Sequence, residues 1–328
     1  MNKEIIVSIC CATYNHQKYI RDAIESFLMQ KTTFPFEILI HDDASTDGTA
    51  DIIREYEVKY PDIIKPIYQT ENQYSKGINP YIAFVYPRAQ GKYIALCEGD
   101  DYWIDPLKLQ KQVDYMERNS RVSILASHYT IYDQEKETFI NPPKIKYELN
   151  FDTLIKKRNK IATATVCFRR EFANQYTEEI KPLEKEWFIG DYSLWLFLSQ
   201  KGQVKILNNV TTVYRRLLKS ASNNQSIEKQ FNFYRKINCM IDFYIKRYGC
   251  QDNTKIQFEK YKYNLEINYA FNLKNKSIMK QEMIKKRNAG FNVGLKYHIK
   301  FFFLLFNMNY IFNSINFQRK KMRLGKNG

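Results

Sequence analysis

With 328 residues, 44% of them apolar, the chain is long enough for one large α/β domain with an appendage, and no run of about eighteen apolar residues exists to span a bilayer as a helix. The first apolar segment, Ile5 to Ala12, lacks the basic flank and cleavage site of a signal peptide, so a cytoplasmic protein is expected. The net charge of +16 is uneven: from Gln251 to Gly328 sixteen Lys and Arg face four Asp and Glu, a basic surface that draws anionic lipid, anionic substrate or nucleic acid without choosing among them.

In chain order, Val7 to Thr13 is apolar and β-branched, as a strand buried on both faces of a parallel sheet requires. Tyr14-Asn15 turns the chain, and a helix is predicted from about His16 to Lys31 with Asn15 as N-cap. Phe36 to Ile40 is a second buried strand, ending in the polar turn His41-Asp42-Asp43-Ala44-Ser45 before a helix from about Thr49 to Tyr60 that Pro61 stops. Ile63 to Tyr68 is a third strand, Gln69 to Pro80 a polar loop, Tyr81 to Ala89 a short helix and Tyr93 to Cys97 a fourth buried strand. This alternation predicts an α/β fold: a mostly parallel, Rossmann-like sheet with helices on both faces. Ligands of such sheets bind beyond the carboxyl ends of the strands, where Tyr14, Asp43 and the Asp100/Asp101 pair all fall. G-x-G-x-x-G after the first strand and G-x-x-x-x-G-K-[ST] are absent, against a dinucleotide oxidoreductase and a P-loop enzyme.

The fourth strand runs straight into Glu98, Asp100 and Asp101. Carboxylates this close raise one another's pKa unless a cation sits among them, and a hard divalent ion held by one or two carboxylates plus substrate phosphates is one resolution. An acidic loop ahead of the helix at Pro106 is the other, with Asp105 as its N-cap.

Past that helix, Val122 to Thr130 reads as a strand in which His128 fits a hydrogen-bonded core position better than a ligand. Thr163 to Arg169 is a further strand, and Gly190-Asp191 opens an apolar helix. Asp191 serves either as its N-cap or, desolvated by Trp187, Phe188, Tyr192 and Trp195, as a general base. Val204 to Leu207 and Val210 to Tyr214 are short closing strands, followed by Arg215 and Arg216, which are either solvated surface or a fork for phosphate. The six cysteines lack C-x-x-C spacing and read as reduced, buried thiols. The division is expected near Ser226: residues 1–225 as a catalytic domain, 226–328 as a basic, mainly helical region. Within it, Tyr297 to Lys321 suits an interfacial helix on an anionic membrane, or a helix that docks on the catalytic domain or another subunit. No helix-turn-helix, finger or stacking platform accompanies the basic residues, so a nucleic-acid partner is not expected.

Four stretches, Val7 to Asn15, His41 to Ser45, Gly91 to Asp101 and Gly190-Asp191-Tyr192, occur in the order and spacing of the family 2 glycosyltransferases of the glycosyltransferase-A fold, which the chain resembles over roughly residues 4 to 216. The resemblance implies inverting transfer of a single sugar from a nucleoside diphosphate sugar, UDP-linked by preference, to a glycan or lipid-linked acceptor in cell-surface polysaccharide assembly. It implies base contacts from Tyr14 and Asp43, Mn2+ or Mg2+ held by Asp101 and Asp100 on the diphosphate, and Asp191 as catalytic base; Arg215, read from the residues alone, is a further candidate for the diphosphate. Ala12 stands where some relatives carry a polar residue, and no Gln-x-x-Arg-Trp motif is present, which speaks against processive polymerisation. A non-catalytic module that binds nucleotide sugars or anionic polymers is the alternative.

Overall fold

The computed structural model describes residues 4–185, 187, 190–217 and 226–306. The chain forms two compact units, Met1–Asn224 with Cys239–Gly249, and Gln225–Asn238 with Cys250–Gly328.

The first unit begins with β1 (Val7–Thr13), α1 (Ile20–Leu28), β2 (Phe36–Asp42), α2 (Thr49–Lys59), β3 (Ile64–Tyr68) and β4 (Tyr93–Leu96). It continues with β5 (Tyr102–Trp103), α3 (Lys108–Arg118), β6 (Val122–Asp133), β7 (Thr138–Ile140), α4 (Phe151–Lys157), β8 (Cys167–Arg169), α5 (Arg170–Ile180), α6 (Gly190–Lys201) and β9 (Gln203–Arg216). The sheet order is β3-β2-β1-β4-β8-β6-β9-β5, with β7 paired to β6. From β3 to β4 every pairing is parallel, as the alternating sequence predicts; β8 then enters antiparallel between β4 and β6, and β6 and β9 are again parallel. Successive residues of β8 show that helices cover both faces. Cys167 points into the cluster formed with Ile24 and Phe27 of α1 and Leu109 of α3, while Phe168 meets Trp195 of α6 edge-on at 6.4 Å. Burying each such aliphatic or aromatic side chain contributes about 1.5–3 kcal/mol.

Three local expectations change. Helix α1 starts at Ile20 rather than His16 and has no side-chain cap, because the Asn15 amide is used elsewhere: its Oδ1 accepts from the Thr46 N–H at 2.8 Å while its backbone takes φ 54°, a left-handed turn that Asn tolerates. The two closing strands are one, since β9 skips Asn208 and Asn209 in a bulge between Leu207, opposite Ser127, and Val210, opposite His128. The short helix expected from Tyr81 to Ala89 is present in irregular form, a π turn at Tyr81–Val85 running into a 3-10 turn at Tyr86–Arg88.

Helix α7 (Ile227–Tyr248) contributes residues to both units. In the second unit α8 (Asp252–Asn272), α9 (Lys276–Asn288) and α10 (Leu295–Leu305) close around Ile267, Phe271, Met279 and Leu304. Two lysines are buried there against neutral oxygens: Lys286 Nζ donates to Asn264 Oδ1 at 2.7 Å and Lys300 Nζ to Asn268 Oδ1 at 2.6 Å. Among the described residues no helix is long and apolar enough to cross a membrane. Of the segment 297–323, residues 307–323 lie outside the described residues, as does Phe188.

Candidate functional site

The parallel registers bring three strand ends to one edge. Thr13 lies opposite Asp42, so the turns holding Tyr14 and Asp43 leave the sheet side by side, and β4 follows β1 as far as the Gly99 N–H, which donates to Ala12 C=O at 3.0 Å. Gly99 is needed for that approach, because a Cβ there would stand 2.5 Å from Thr13 Oγ1. The first two turns are tied together: the Asn15 N–H donates to Ser45 Oγ, the His16 N–H to Thr49 Oγ1 and the Gln17 N–H to Asp47 Oδ2. Tyr14 projects from this braced turn, 42% exposed. Asp43 is buried, with Oδ1 accepting from the Gln73 N–H at 2.8 Å and Oδ2 from the Tyr74 N–H at 3.0 Å, and so fixes the loop 69–80.

The third turn is built differently. Asp101 is buried, Oδ1 accepts from the Arg215 backbone N–H at 2.8 Å, and burial, then Asp100 and Glu98, push its carboxyl well above the usual carboxylate range. Burial, then Asp100 and to a smaller extent Asp191, push Glu98 up to about 8. Asp100 is more accessible, and its Oδ2 lies 3.9 Å from His16 Nε2; burial lowers the His16 pKa, which makes this a contact with a neutral ring at pH 7. Asp105, expected as a cap, accepts from the Leu107 N–H at 3.0 Å and pairs with Lys111 Nζ at 2.6 Å, one turn before α3.

Arg215 is not solvated surface. Its guanidinium is packed between Tyr19 and Tyr102, pairs with Asp22 and donates to the Asp100 carbonyl at 3.1 Å, whereas Arg216 is exposed beside Asp133 at 3.6 Å. It braces the acidic turn from behind.

Asp191 lies in the first turn of α6, with Oδ1 accepting from the Tyr192 N–H at 2.7 Å and Oδ2 accepting from Asn159 Nδ2 at 2.9 Å and Thr163 Oγ1 at 3.4 Å. Burial raises its pKa, and these donors hold the rise down. The helix start is crowded against the loop that Asp43 fixes, since a Cβ on Gly190 would overlap the Asn79 amide. Charge on Asp191 is felt at both Glu98 and Tyr74, so the loop, the acidic turn and α6 form one electrostatic neighbourhood.

The structure adds Glu98, His16, Asn159 and Thr163 to the surroundings of the site. Glu98 carried a signal, its place in the acidic run; Asn159 and Thr163 carried none, because their pairing with Asp191 spans 32 and 28 residues. Among the described residues no group of three or more His, Cys, Asp or Glu is arranged to hold a metal by itself. The donor set nevertheless suits a hard cation completed by phosphate oxygens: the donors are carboxylate oxygens, Asp100 is accessible, and Glu98 and Asp101, raised first by burial and then by the neighbouring carboxyls, gain from a cation that would let them ionise.

The model of the family described as Glycosyl transferase family 2 matches residues 8–177, which hold the three turns and the acidic run. The chain belongs to this family. The putative teichuronic acid biosynthesis glycosyltransferase TuaG of Bacillus subtilis is 32% identical over 72% of this chain and 90% of its own length. WfaP of Escherichia coli, a UDP-Glc:alpha-D-GlcNAc-diphosphoundecaprenol beta-1,3-glucosyltransferase, is 34% identical over 71% of this chain and 86% of its own. An uncharacterized protein of Mycobacterium tuberculosis is 36% identical over 64% of this chain, which spans only 58% of that relative's length. Among solved structures, S. aureus TarS 1-349 in complex with UDP-GlcNAc aligns with a TM-score of 0.55 at 14% identity, over 88% of this chain and 93% of that one. The mannosyltransferase PcManGT of Pyrobaculum calidifontis, in complex with GDP-Man and Mn2+, gives 0.55 at 15% identity, over 91% and 79%. At these identities the likeness is one of fold, and the family 2 glycosyltransferase has the glycosyltransferase-A fold.

Proposed function

We propose that the chain catalyses inverting transfer of a single sugar from a nucleoside diphosphate sugar to an acceptor hydroxyl in cell-surface glycan assembly. The observation that carries this reading is an acidic turn with an accessible Asp100 in the same electrostatic neighbourhood as the buried, hydrogen-bonded carboxyl of Asp191. Tyr14, exposed beside the β2 turn, stacks on the base, and Asp43 orients the loop against which the nucleotide rests. Asp100 and Asp101 are the residues that would hold Mn2+ or Mg2+, which when bound would supply positive charge for a diphosphate leaving group. Asp191 accepts the proton of the acceptor hydroxyl as that oxygen attacks the opposite face of the anomeric carbon; Asn159 and Thr163 keep its carboxylate aimed. Arg215 holds the acidic turn in place and adds positive charge behind the diphosphate.

A UDP-sugar donor is favoured because the WfaP name specifies UDP-Glc. That name also supports a lipid-linked acceptor, and α10 fits a position at the inner face of the membrane: Leu295, Ile299, Phe302 and Phe306 are exposed along one stripe of a basic unit. Residues 1–225 form the catalytic domain in this reading.

A thermal-shift screen of UDP, GDP, CDP and dTDP sugars with and without Mn2+, followed by transfer assays on Asp101→Asn and Asp191→Asn, tests it. A Mn2+-dependent shift with one nucleotide and loss of transfer in both variants is expected. Near-wild-type transfer by a folded variant removes that residue's role, and binding without turnover favours a non-catalytic module.

A further inference from the structure

Beside the acidic turn, a cleft of about 580 Å3 opens between the start of α1, β5 and the β6–β7 hairpin. Its walls combine two chemistries. Phe139, 62% exposed and tilted against Tyr132 at a centroid distance of 4.9 Å, presents ring surface, while Tyr19 and Tyr102 line the cleft around the Arg215 guanidinium. Lys18 and Gln134 supply side-chain donors that have no hydrogen-bond partner among the described residues, and Asp22 supplies an acceptor already shared with Arg215.

We infer that this cleft is a saccharide subsite, taking a pyranose ring of the acceptor glycan beyond the ring that reacts; the inference rests on the transferase reading above. A sugar ring is amphipathic. The C–H bonds of its less polar face carry partial positive charge and pack on the negative faces of aromatic rings, while its hydroxyls need donors and acceptors at the rim. The cleft offers both, and its volume suits a ligand of one to three rings. A purely apolar occupant would leave Lys18 and Asp22 desolvated at its edge, and a polyanion would meet the Asp22 carboxylate. Arg215 lines the cleft and also donates to the Asp100 carbonyl, so the cleft lies one side chain away from the acidic turn.

Saturation-transfer NMR on the full chain, with chitotriose and maltotriose as probes, tests this. Transfer to ring C–H protons of at least one trisaccharide is expected, weakened about tenfold in Phe139→Ala and little changed in Phe139→Tyr, which keeps the ring. Absence of binding by both trisaccharides, or equal binding by Phe139→Ala, overturns the subsite. Thermal shift by UDP and Mn2+, read on the same samples, is independent of Phe139. Saccharide binding without a nucleotide shift therefore sinks the donor-site reading and leaves the subsite, and the reverse sinks only the subsite.

Discussion

The turns after β2 and after β4 both bury carboxylates at strand ends, yet they handle the charge in opposite ways. After β2, both oxygens of buried Asp43 and Oδ2 of buried Asp42 are met by backbone N–H groups, Asp42 Oδ1 being the one left without a partner among the described residues, and exposed Asp47 accepts from the Gln17 and Thr49 N–H groups. After β4, Asp101 has one such bond, Asp100 faces a neutral imidazole, and Glu98 is pushed up to about 8 by burial, then Asp100 and Asp191. Backbone donors make the first turn a structural joint; their scarcity makes the second a place that gains from a cation. Buried carboxylates mark a site where they are left facing one another, not simply where they are numerous.

The largest test of this contrast is at Asp191. Asp191→Asn keeps the shape but removes the base and turns one donor-facing oxygen into an NH2, and should lower kcat about 10²–10⁴-fold while costing about 1–3 kcal/mol of stability. The base works ionised, so wild-type kcat/KM should fall on acidification through a value above the ordinary 3.8, and Asn159→Ala should move that limb further up by deleting a donor to the carboxylate. A pH profile of both proteins reads this.

Lys108 extends the comparison to a buried cation. It is fully buried over Trp103 at 4.1 Å, donates to Gln112 at 2.8 Å, and burial lowers its pKa from 10.5 to about 8. The unfolded chain binds the extra proton between these values, so this term adds stability as pH rises from about 8 toward 10.5 and is lost as pH falls back through about 8. Urea unfolding at pH 7.5 to 10, taken as a series of roughly half-unit steps, should show that slope flattened in Lys108→Met, by up to about 3 kcal/mol across the window.

Asp43→Ala should cost about 1–3 kcal/mol, because the Gln73 and Tyr74 N–H groups lose their acceptor, and it should weaken UDP binding through the loosened loop. Unchanged urea midpoints would erase the distinction between the two turns. The smallest effect runs the other way: Glu98→Gln should stabilise the metal-free protein by about 1 kcal/mol at neutral pH, because burial, then Asp100, makes the carboxyl take up a proton on folding and the amide does not. Differential scanning calorimetry without Mn2+ measures it.

What the sequence determined by itself was periodic and local: buried runs of strand length, amphipathic stretches between them, and polar turns at the strand ends. Those are enough for the α/β fold, because one segment's burial pattern reports its own element. They also locate the acidic run, since Glu98, Asp100 and Asp101 are neighbours in the chain. Tertiary structure alone decided which acids are satisfied. The Arg215 N–H reaches Asp101 across 114 residues, Asn159 reaches Asp191 across 32, and Gln73 reaches Asp43 across 30. It also decided that Arg215 is buried while Arg216 is exposed, because alternate side chains of β9 point to opposite faces and only pairing with β5 and β6 sets which face is covered. Local sequence sets where charge is placed along the chain; long-range pairing sets how much of it is neutralised.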